Sequence, residues 1–173
     1  HGAGAVDASI VVGRVGWVCG TVAGVTGRPR VKRRRRVVAA GGNGPAGAFA
    51  QKVLEGIGVE VIPLDCELDW TFPRYNPNPE DMEMLHALRD KVLETGADVG
   101  LGFDGDGDRC GVVDDTGEEI FADKVGVMLA RDLSARHANA QFVVDVKSTG
   151  LFLTDPVLIA NGAKTDYLSL IPL

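Results

Sequence analysis

Short apolar runs alternate with longer amphipathic stretches along most of the chain. Apolar residues that recur every three or four positions predict helices beginning near residues 45, 79, 123 and 149. The short runs between them predict strands at residues 37–40, 59–64, 98–103, 110–113, 141–145 and 164–168. This alternation is typical of a layered α/β/α fold with a mixed, largely parallel sheet.

Two of the predicted helices have well-defined ends or faces. For the helix near residue 79, Asn78 and Pro79 are suited to the start, and Gly96 is suited to the end. Its apolar stripe consists of Met82, Leu85, Leu88 and Val92. The second helix runs from Asp123 to Arg136, with a stripe of Val125, Met128, Leu129 and Leu133. Both patterns predict amphipathic helices.

A dense group of charges stands between two of the predicted strands. Residues 104–109 read Asp-Gly-Asp-Gly-Asp-Arg. Carboxylates this close repel one another unless a cation holds them, and hard oxygen ligands suit Mg²⁺, Mn²⁺ or Ca²⁺. Gly105 and Gly107 allow a tight turn, and Arg109 is a bidentate donor suited to a phosphate or a carboxylate. The run therefore predicts a site for a divalent cation and a phosphorylated ligand.

Other acidic loops explain the same run less well. A solvated acidic turn would not require the strict order of residues between two buried-looking strands. An EF-hand needs Gly at the sixth position and Glu at the twelfth, where this chain has Arg109 and Asp115. The loop of haloacid-dehalogenase-type phosphatases also follows an apolar strand, but that family usually has Thr or Val where Asp108 stands here. It stays a minor alternative.

A glycine-rich turn at residues 42–47 opens a different possibility. It reads Gly-Asn-Gly-Pro-Ala-Gly, follows a predicted strand and opens a predicted helix. Asp65 stands at the end of the next strand, which nearly completes the fingerprint of a dinucleotide-binding, Rossmann-like domain. An NAD site is therefore one alternative, and a tight turn that needs small residues is the other. The NAD interpretation leaves the acidic run at 104–109 unexplained.

The formal net charge of −6 is distributed unevenly. Residues 1–36 contain eight Lys or Arg and one acid, so the remaining chain is strongly acidic. An acidic body is a poor match for nucleic acid, and we expect no nucleic-acid partner. The basic run at 28–36 could bind nucleic acid or an anionic membrane surface. The interpretation that we favour is an irregular linker, or a segment outside the fold.

The cysteines and the apolar segments indicate a cellular compartment. Cys19, Cys66 and Cys110 are far apart and form no C-x-x-C motif, so they support neither a disulfide framework nor a zinc site. This usage fits a reducing compartment, and we expect a cytoplasmic protein. No apolar stretch is long enough to span a bilayer and no signal peptide is evident, so we expect no membrane partner.

Four motifs together resemble the phosphohexomutases, the family of phosphomannomutase and phosphoglucomutase. They are the glycine turn at 42–47, Phe-Pro-Arg-Tyr-Asn-Pro-Asn-Pro at 72–79, the acidic run at 104–109 and Asp-Val-Lys at 145–147. Residues 1–36, rich in Gly, Ala and Val and then basic, are expected to be irregular and lie before the resemblance. The resemblance implies that residues 37–138 are the family's second domain, which binds the metal, and that 139–173 open its third, sugar-binding domain.

The resemblance also implies an activity and a set of site residues. The family uses Mg²⁺ to interconvert hexose 1-phosphate and hexose 6-phosphate, through a phosphoserine and a bisphosphorylated sugar. Asp104, Asp106 and Asp108 would bind Mg²⁺, Arg109 would stabilise phosphoryl charge, and Lys147 would contact the phosphorylated hexose.

Some motifs of the family are not found in these 173 residues. There is no phosphoserine loop of the T-A-S-H-N-P type and no sugar-recognition loop of the G-E-x-S-G-H type. We therefore expect a fragment or truncated product that is inactive alone and has the missing phosphohexomutase domains as partners. A non-catalytic divalent-cation module derived from the same fold is a further alternative.

Overall fold

A computed structural model of the chain describes residues 31–145 and 147–168. These residues fall into two units, which meet in sequence between Glu119 and Ile120. None of the described helices is long and apolar enough to cross a membrane. The expectations for residues 1–30 lie outside the described residues.

The first unit is built on a five-stranded sheet in the order β2-β1-β3-β4-β5. Its strands and helices, in chain order, are β1 (Arg36–Ala40), α1 (Pro45–Gly56), β2 (Glu60–Leu64), α2 (Met82–Thr95), β3 (Val99–Phe103), β4 (Cys110–Asp114) and the two-residue β5 (Glu119–Ile120). Strand β1 is parallel to β2 and β3, and β4 is antiparallel to β3. The predicted α/β class with a mixed sheet is confirmed.

The parallel pairing places three sequence motifs at one edge of the sheet. The carboxyl ends of β1, β2 and β3 share that edge, because neighbouring parallel strands point the same way. The glycine turn follows β1, Asp65 follows β2, and Asp104 follows β3. Residues distant in sequence therefore meet where ligands bind in open α/β sheets.

Helix α2 packs closely against the sheet. Its buried side chains are Met84, Leu85, Leu88 and Val92. A Cβ on Gly100 of β3 would lie 2.8 Å from Leu88 Cδ1 and 2.8 Å from Val92 Cγ2. Glycine at this position lets the helix approach the strand, which explains one of the two glycines inside an otherwise apolar strand.

The start of α2 differs from the prediction. The helix begins at Met82, and the side chain of Asp81 caps it by accepting the Glu83 N–H at 2.9 Å. Asn78 instead accepts the Glu80 N–H at 3.1 Å, in the turn before the helix. Met82 is 48% exposed and Met84 is fully buried, so the buried stripe begins two residues later than predicted. Gly96 ends the helix in the left-handed conformation, as predicted.

The end of the basic run contacts the first unit. Arg36 is the first residue of β1, its N–H donates to Asp98 at 2.8 Å, and its side chain donates to the Thr95 carbonyl at 2.6 Å. Arg35 pairs with Asp98, and Arg34 pairs with Glu60 at 2.9 Å. These arginines therefore neutralise acids at the start of the sheet, in a run that we had expected to be an irregular linker or a segment outside the fold.

The second unit contains two parallel strands and three helices. In chain order these are α3 (Ala122–Arg136), β6 (Gln141–Asp145), α4 (Leu151–Thr154), α5 (Pro156–Ala160) and β7 (Lys164–Leu168). The prediction of a single helix beginning near residue 149 is wrong, because the helical segment is broken at Asp155. Pro156 disfavours a helical conformation in the residue before it, and Asp155 caps α5 by accepting the Val157 N–H at 3.0 Å.

Helix α3 buries a different face from the predicted one. Its buried residues are Val127, Ala130 and Ser134, and the first two join a core with Phe152 and Leu158. Three residues of the predicted stripe are exposed, namely Met128, Leu129 and Leu133. Because α3 packs in the second unit, the division between the units falls earlier than the predicted domain boundary at residue 138.

Candidate metal and phosphate site

Three carboxylates meet in the loop between β3 and β4. One oxygen from each of Asp104, Asp106 and Asp108 lies within 4.8 Å of the others. Asp104 is buried at the end of β3, whereas Asp106 and Asp108 are exposed. The structure thus brings together the three residues predicted to be metal ligands, although their binding of a metal stays a prediction.

Arg109 closes this loop onto its first residue. Its N–H donates to Asp104 Oδ1 at 3.1 Å, and its Nε donates to Asp104 Oδ2 at 2.8 Å. In the other direction, the Asp104 N–H donates to the Arg109 carbonyl at 3.3 Å. Gly107 lies at the tip with a φ of +77°, a conformation that glycine adopts without strain. The loop is therefore held by its own residues.

The carboxylates of the loop ionise unequally. Burial opposes the ionisation of Asp104, but hydrogen bonds from Arg109 outweigh burial and hold the pKa of Asp104 below its usual value. Hydrogen bonding with Asp104, together with the charges of Asp106 and Asp104, raises the pKa of Asp108. A divalent cation among the three oxygens would remove this repulsion, so the donor set fits a hard cation.

The glycine turn after β1 supports the acidic loop. A Cβ on Gly44 would lie 3.1 Å from Gly105 Cα and 3.4 Å from its carbonyl oxygen. A Cβ on Gly107 would lie 3.1 Å from Ala46 Cβ. In a dinucleotide site the second glycine of the motif leaves room for a pyrophosphate. Here the backbone of the acidic loop lies in that room, which argues against the NAD alternative.

Asp65 also differs from the acid of a dinucleotide site. Its carboxylate accepts a hydrogen bond from the Tyr75 hydroxyl at 2.9 Å, and Arg74 Nε lies 3.8 Å away. In the dinucleotide fingerprint this acid binds a ribose hydroxyl. Asp65 instead anchors the segment that follows, from Tyr75 to Pro79.

That segment packs against both the glycine turn and the acidic loop. A Cβ on Gly42 would lie 2.8 Å from Pro77 Cβ and 2.9 Å from Pro77 Cα. A Cβ on Gly111, just after the acidic loop, would lie 2.9 Å from Pro79 Cβ. Between the two prolines, Asn78 Oδ1 accepts a hydrogen bond from Arg109 Nη1 at 3.4 Å. Sequence reasoning gave Asn78 no such contact, since it placed this residue at the start of a helix.

Other candidate residues have separate surroundings. Lys147 follows β6 in the second unit, and its N–H donates to Asp145 at 2.8 Å. Its contact with a substrate stays a prediction. Cys110 directly follows Arg109, and desolvation together with the charge of Asp104 raises its pKa to about 11. The thiol is therefore protonated at neutral pH and is a poor nucleophile.

Comparisons with known proteins agree on one family. The family model described as phosphoglucomutase/phosphomannomutase, alpha/beta/alpha domain II, matches residues 22–117. A phosphomannomutase/phosphoglucomutase of Pseudomonas putida is 45% identical over 125 residues, which cover 72% of this chain and 27% of that protein. A phosphoglucomutase of Neisseria meningitidis serogroup B is 40% identical over 140 residues, covering 81% of this chain and 30% of that protein.

A solved structure supports the same likeness. A phosphoglucomutase/phosphomannomutase family protein from Burkholderia thailandensis superposes with a TM-score of 0.84 at 30% sequence identity, covering 89% of this chain and 33% of that one. The matched family domain ends at residue 117, close to the division between the two units, and begins before the predicted start at residue 37. The chain spans about a third or less of the length of these relatives.

Proposed function

Because this chain belongs to the phosphoglucomutase and phosphomannomutase family, we propose that it supplies the metal-holding part of a phosphohexomutase. Such an enzyme interconverts a hexose 1-phosphate and a hexose 6-phosphate through a bisphosphorylated sugar. The observation that carries the proposal is the meeting of three carboxylates and one guanidinium in a single loop. The chain covers only 27% of the Pseudomonas putida relative. The mutase activity of a complete enzyme is therefore proposed here and does not follow from the family match alone.

In this proposal Asp104, Asp106 and Asp108 hold Mg²⁺. Their oxygens are close enough to share one ion, and carboxylates are ligands that Mg²⁺ accepts. When bound, the ion would neutralise charge on the transferring phosphoryl group and orient it. Asp104 is the most fixed of the three ligands because it is buried and bonded to Arg109.

Arg109 is proposed to bind the phosphoryl group beside the ion. The described contacts engage two of its N–H donors, at Nε and Nη1. Within residues 31–145 and 147–168, Nη2 has no hydrogen-bond partner, so its two donors can reach a phosphoryl oxygen. A fixed guanidinium stabilises the charge that develops during phosphoryl transfer. Lys147 is also proposed to contact the hexose phosphate.

The nucleophile of the proposed reaction is a phosphoserine outside these 173 residues. Cys110 is the nucleophilic side chain next to the loop, and its raised pKa of about 11 keeps it protonated. The motif that carries the phosphoserine in the family has no counterpart in this sequence. We therefore expect the polypeptide alone to bind Mg²⁺ and a sugar phosphate without completing the mutase cycle.

Two assays on the pure polypeptide test the proposal. Calorimetry should show Mg²⁺-dependent binding of a hexose bisphosphate, weakened by Asp106→Ala. The matched control is Asp115→Ala, which removes an exposed acid from the turn after β4. Chromatography of glucose 1-phosphate incubated with Mg²⁺ and bisphosphate should show no glucose 6-phosphate.

Each assay has an outcome that contradicts the proposal. Turnover by the polypeptide alone would show that a nucleophile lies within these residues. Bisphosphate binding that is unchanged in Asp106→Ala would place the ligand away from the acidic loop. Mg²⁺ binding without any sugar-phosphate binding would favour a non-catalytic cation module.

A further inference from the structure

We propose that Asn78 is a positioning residue, whose side-chain oxygen fixes the Arg109 guanidinium in the orientation that binds a phosphoryl group. Asn78 Oδ1 accepts a hydrogen bond from Arg109 Nη1 at 3.4 Å, across 31 positions of sequence. The identity of the bound group rests on the proposed function. The contact between Asn78 and Arg109 does not depend on it.

Two acceptors hold the guanidinium at different nitrogens. Asp104 Oδ2 binds Nε at 2.8 Å, and Asn78 Oδ1 binds Nη1. A single bond at Nε would leave the arginine side chain, which is 53% exposed, free to change its orientation. A second bond at Nη1 restrains the plane of the guanidinium. Because guanidinium donors have a fixed fork geometry, Nη2 is then directed away from both acceptors.

Asn78 is itself held firmly enough to position another residue. It lies between Pro77 and Pro79, which are both buried. Its N–H donates to the Asn76 carbonyl at 2.8 Å, and its own carbonyl accepts the Asp81 N–H at 2.9 Å. The segment is further fixed where Pro77 packs against Gly42. The geometry of Asn78 is therefore set by its own segment, and Arg109 is the more exposed partner.

A neutral acceptor suits this task better than an acid. A carboxylate at position 78 would add negative charge next to three carboxylates and close to the incoming phosphoryl group. An amide oxygen restrains the guanidinium without cancelling its charge. Arg109 is already paired with Asp104 at 2.8 Å, so a second acid would reduce its attraction for an anion.

The test compares Asn78→Ala with Asn76→Ala in the full polypeptide. Asn76 lies in the same loop with an exposed side chain that makes no hydrogen bond among the described residues. Nitrogen-15 NMR of the arginine side chains, assigned with Arg109→Lys, reports the mobility of the Arg109 guanidinium. Calorimetric titration with inorganic phosphate at saturating Mg²⁺ gives the phosphate affinity. A separate titration with Mg²⁺ alone gives the Mg²⁺ affinity.

We expect Asn78→Ala to increase Arg109 mobility and to weaken phosphate binding about fivefold, with unchanged Mg²⁺ affinity. Asn78→Asp, which keeps the acceptor and the bond to the Glu80 N–H, should restore the restrained Arg109 signals. In the Arg109→Lys background, Asn78→Ala should have no further effect on phosphate binding, because its partner is gone.

Three results would overturn the inference. They are unchanged Arg109 signals in Asn78→Ala, equal effects of Asn76→Ala and Asn78→Ala, and an effect of Asn78→Ala that persists in the Arg109→Lys background. If the unmodified polypeptide binds no phosphate, the proposed function fails, and the NMR comparison alone decides the role of Asn78.

Discussion

Replacement of Gly42 by alanine tests the packing that joins the glycine turn to the proline segment. Gly42 has a φ of +51°, and an added Cβ would lie 2.8 Å from Pro77 Cβ and 2.9 Å from Pro77 Cα. Carbon atoms this close cannot coexist without movement, and a backbone Cα cannot move aside like the end of a flexible side chain. Gly58 provides a matched control, since its φ is +96° and a Cβ there would meet nothing within 4 Å.

The two variants separate conformational strain from steric clash. Alanine in the left-handed region costs roughly 1–2 kcal/mol at either position. At Gly42 the displaced proline adds about 1–3 kcal/mol, the usual range for overpacking. The free energy of unfolding should therefore fall by about 2–5 kcal/mol in Gly42→Ala and by about 1–2 kcal/mol in Gly58→Ala.

Urea denaturation measures both differences in the same part of the molecule, because both glycines lie in the first unit. The denaturation midpoint should fall further in Gly42→Ala, with a similar slope in both variants. If Gly42→Ala were no less stable than Gly58→Ala, Pro77 would not lie against the turn. The proposed support of the acidic loop by this segment would then be refuted.

Three further predictions concern the acidic loop and the start of the sheet. Gly44→Ala should weaken Mg²⁺ binding in calorimetry by pushing on the acidic loop, whereas Gly150→Ala, where a Cβ meets nothing within 4 Å, should not. Mg²⁺ affinity should fall as the pH is lowered through the raised pKa of Asp108, because Mg²⁺ competes with the proton that binds this carboxylate. A Mg²⁺ affinity that is independent of pH down to the usual carboxyl range would contradict this. Hydrogen bonds from the Arg36 N–H and the Arg35 side chain lower the pKa of Asp98. Asp98→Asn should therefore lower the urea midpoint at neutral pH. The difference in midpoint from the unmodified polypeptide should vanish as the pH falls through that lowered pKa.

Local sequence was sufficient to predict the acidic loop. The three carboxylates, their glycines and Arg109 are consecutive, and the loop is closed by bonds among these same residues. The flanking strands were also predictable, since each is a short apolar run. The family resemblance, which rested on four such motifs, is confirmed by the family match.

The role of the glycine turn could not be predicted from sequence. A glycine leaves room for an approaching group, but the sequence does not say which group approaches. At Gly44 the structure places Gly105 in that room, where a dinucleotide site would place a pyrophosphate. Only contacts between distant segments distinguish the two cases.

The predictions of the start of α2 and of the buried face of α3 were wrong because both depend on the surrounding structure. Asn78 and Asp81 are both good capping residues, and the backbone conformation of the segment decides for Asp81. In α3, apolar residues occur on more than one face, and the positions of Phe152 and Leu158 decide that Val127 and Ala130 are buried. Sequence periodicity does not contain this information.

Thermal melting with and without Mg²⁺ tests the central claim most directly. A ligand that binds only the folded state stabilises it, by about 2.7 kcal/mol at one hundred times its dissociation constant. We predict that Mg²⁺ raises the melting temperature of the polypeptide and of Asp115→Ala but not of Asp106→Ala, and that NAD raises none of them. A Mg²⁺ shift that survives in Asp106→Ala, or an NAD shift without any Mg²⁺ shift, would contradict the assignment of the acidic loop as the metal site.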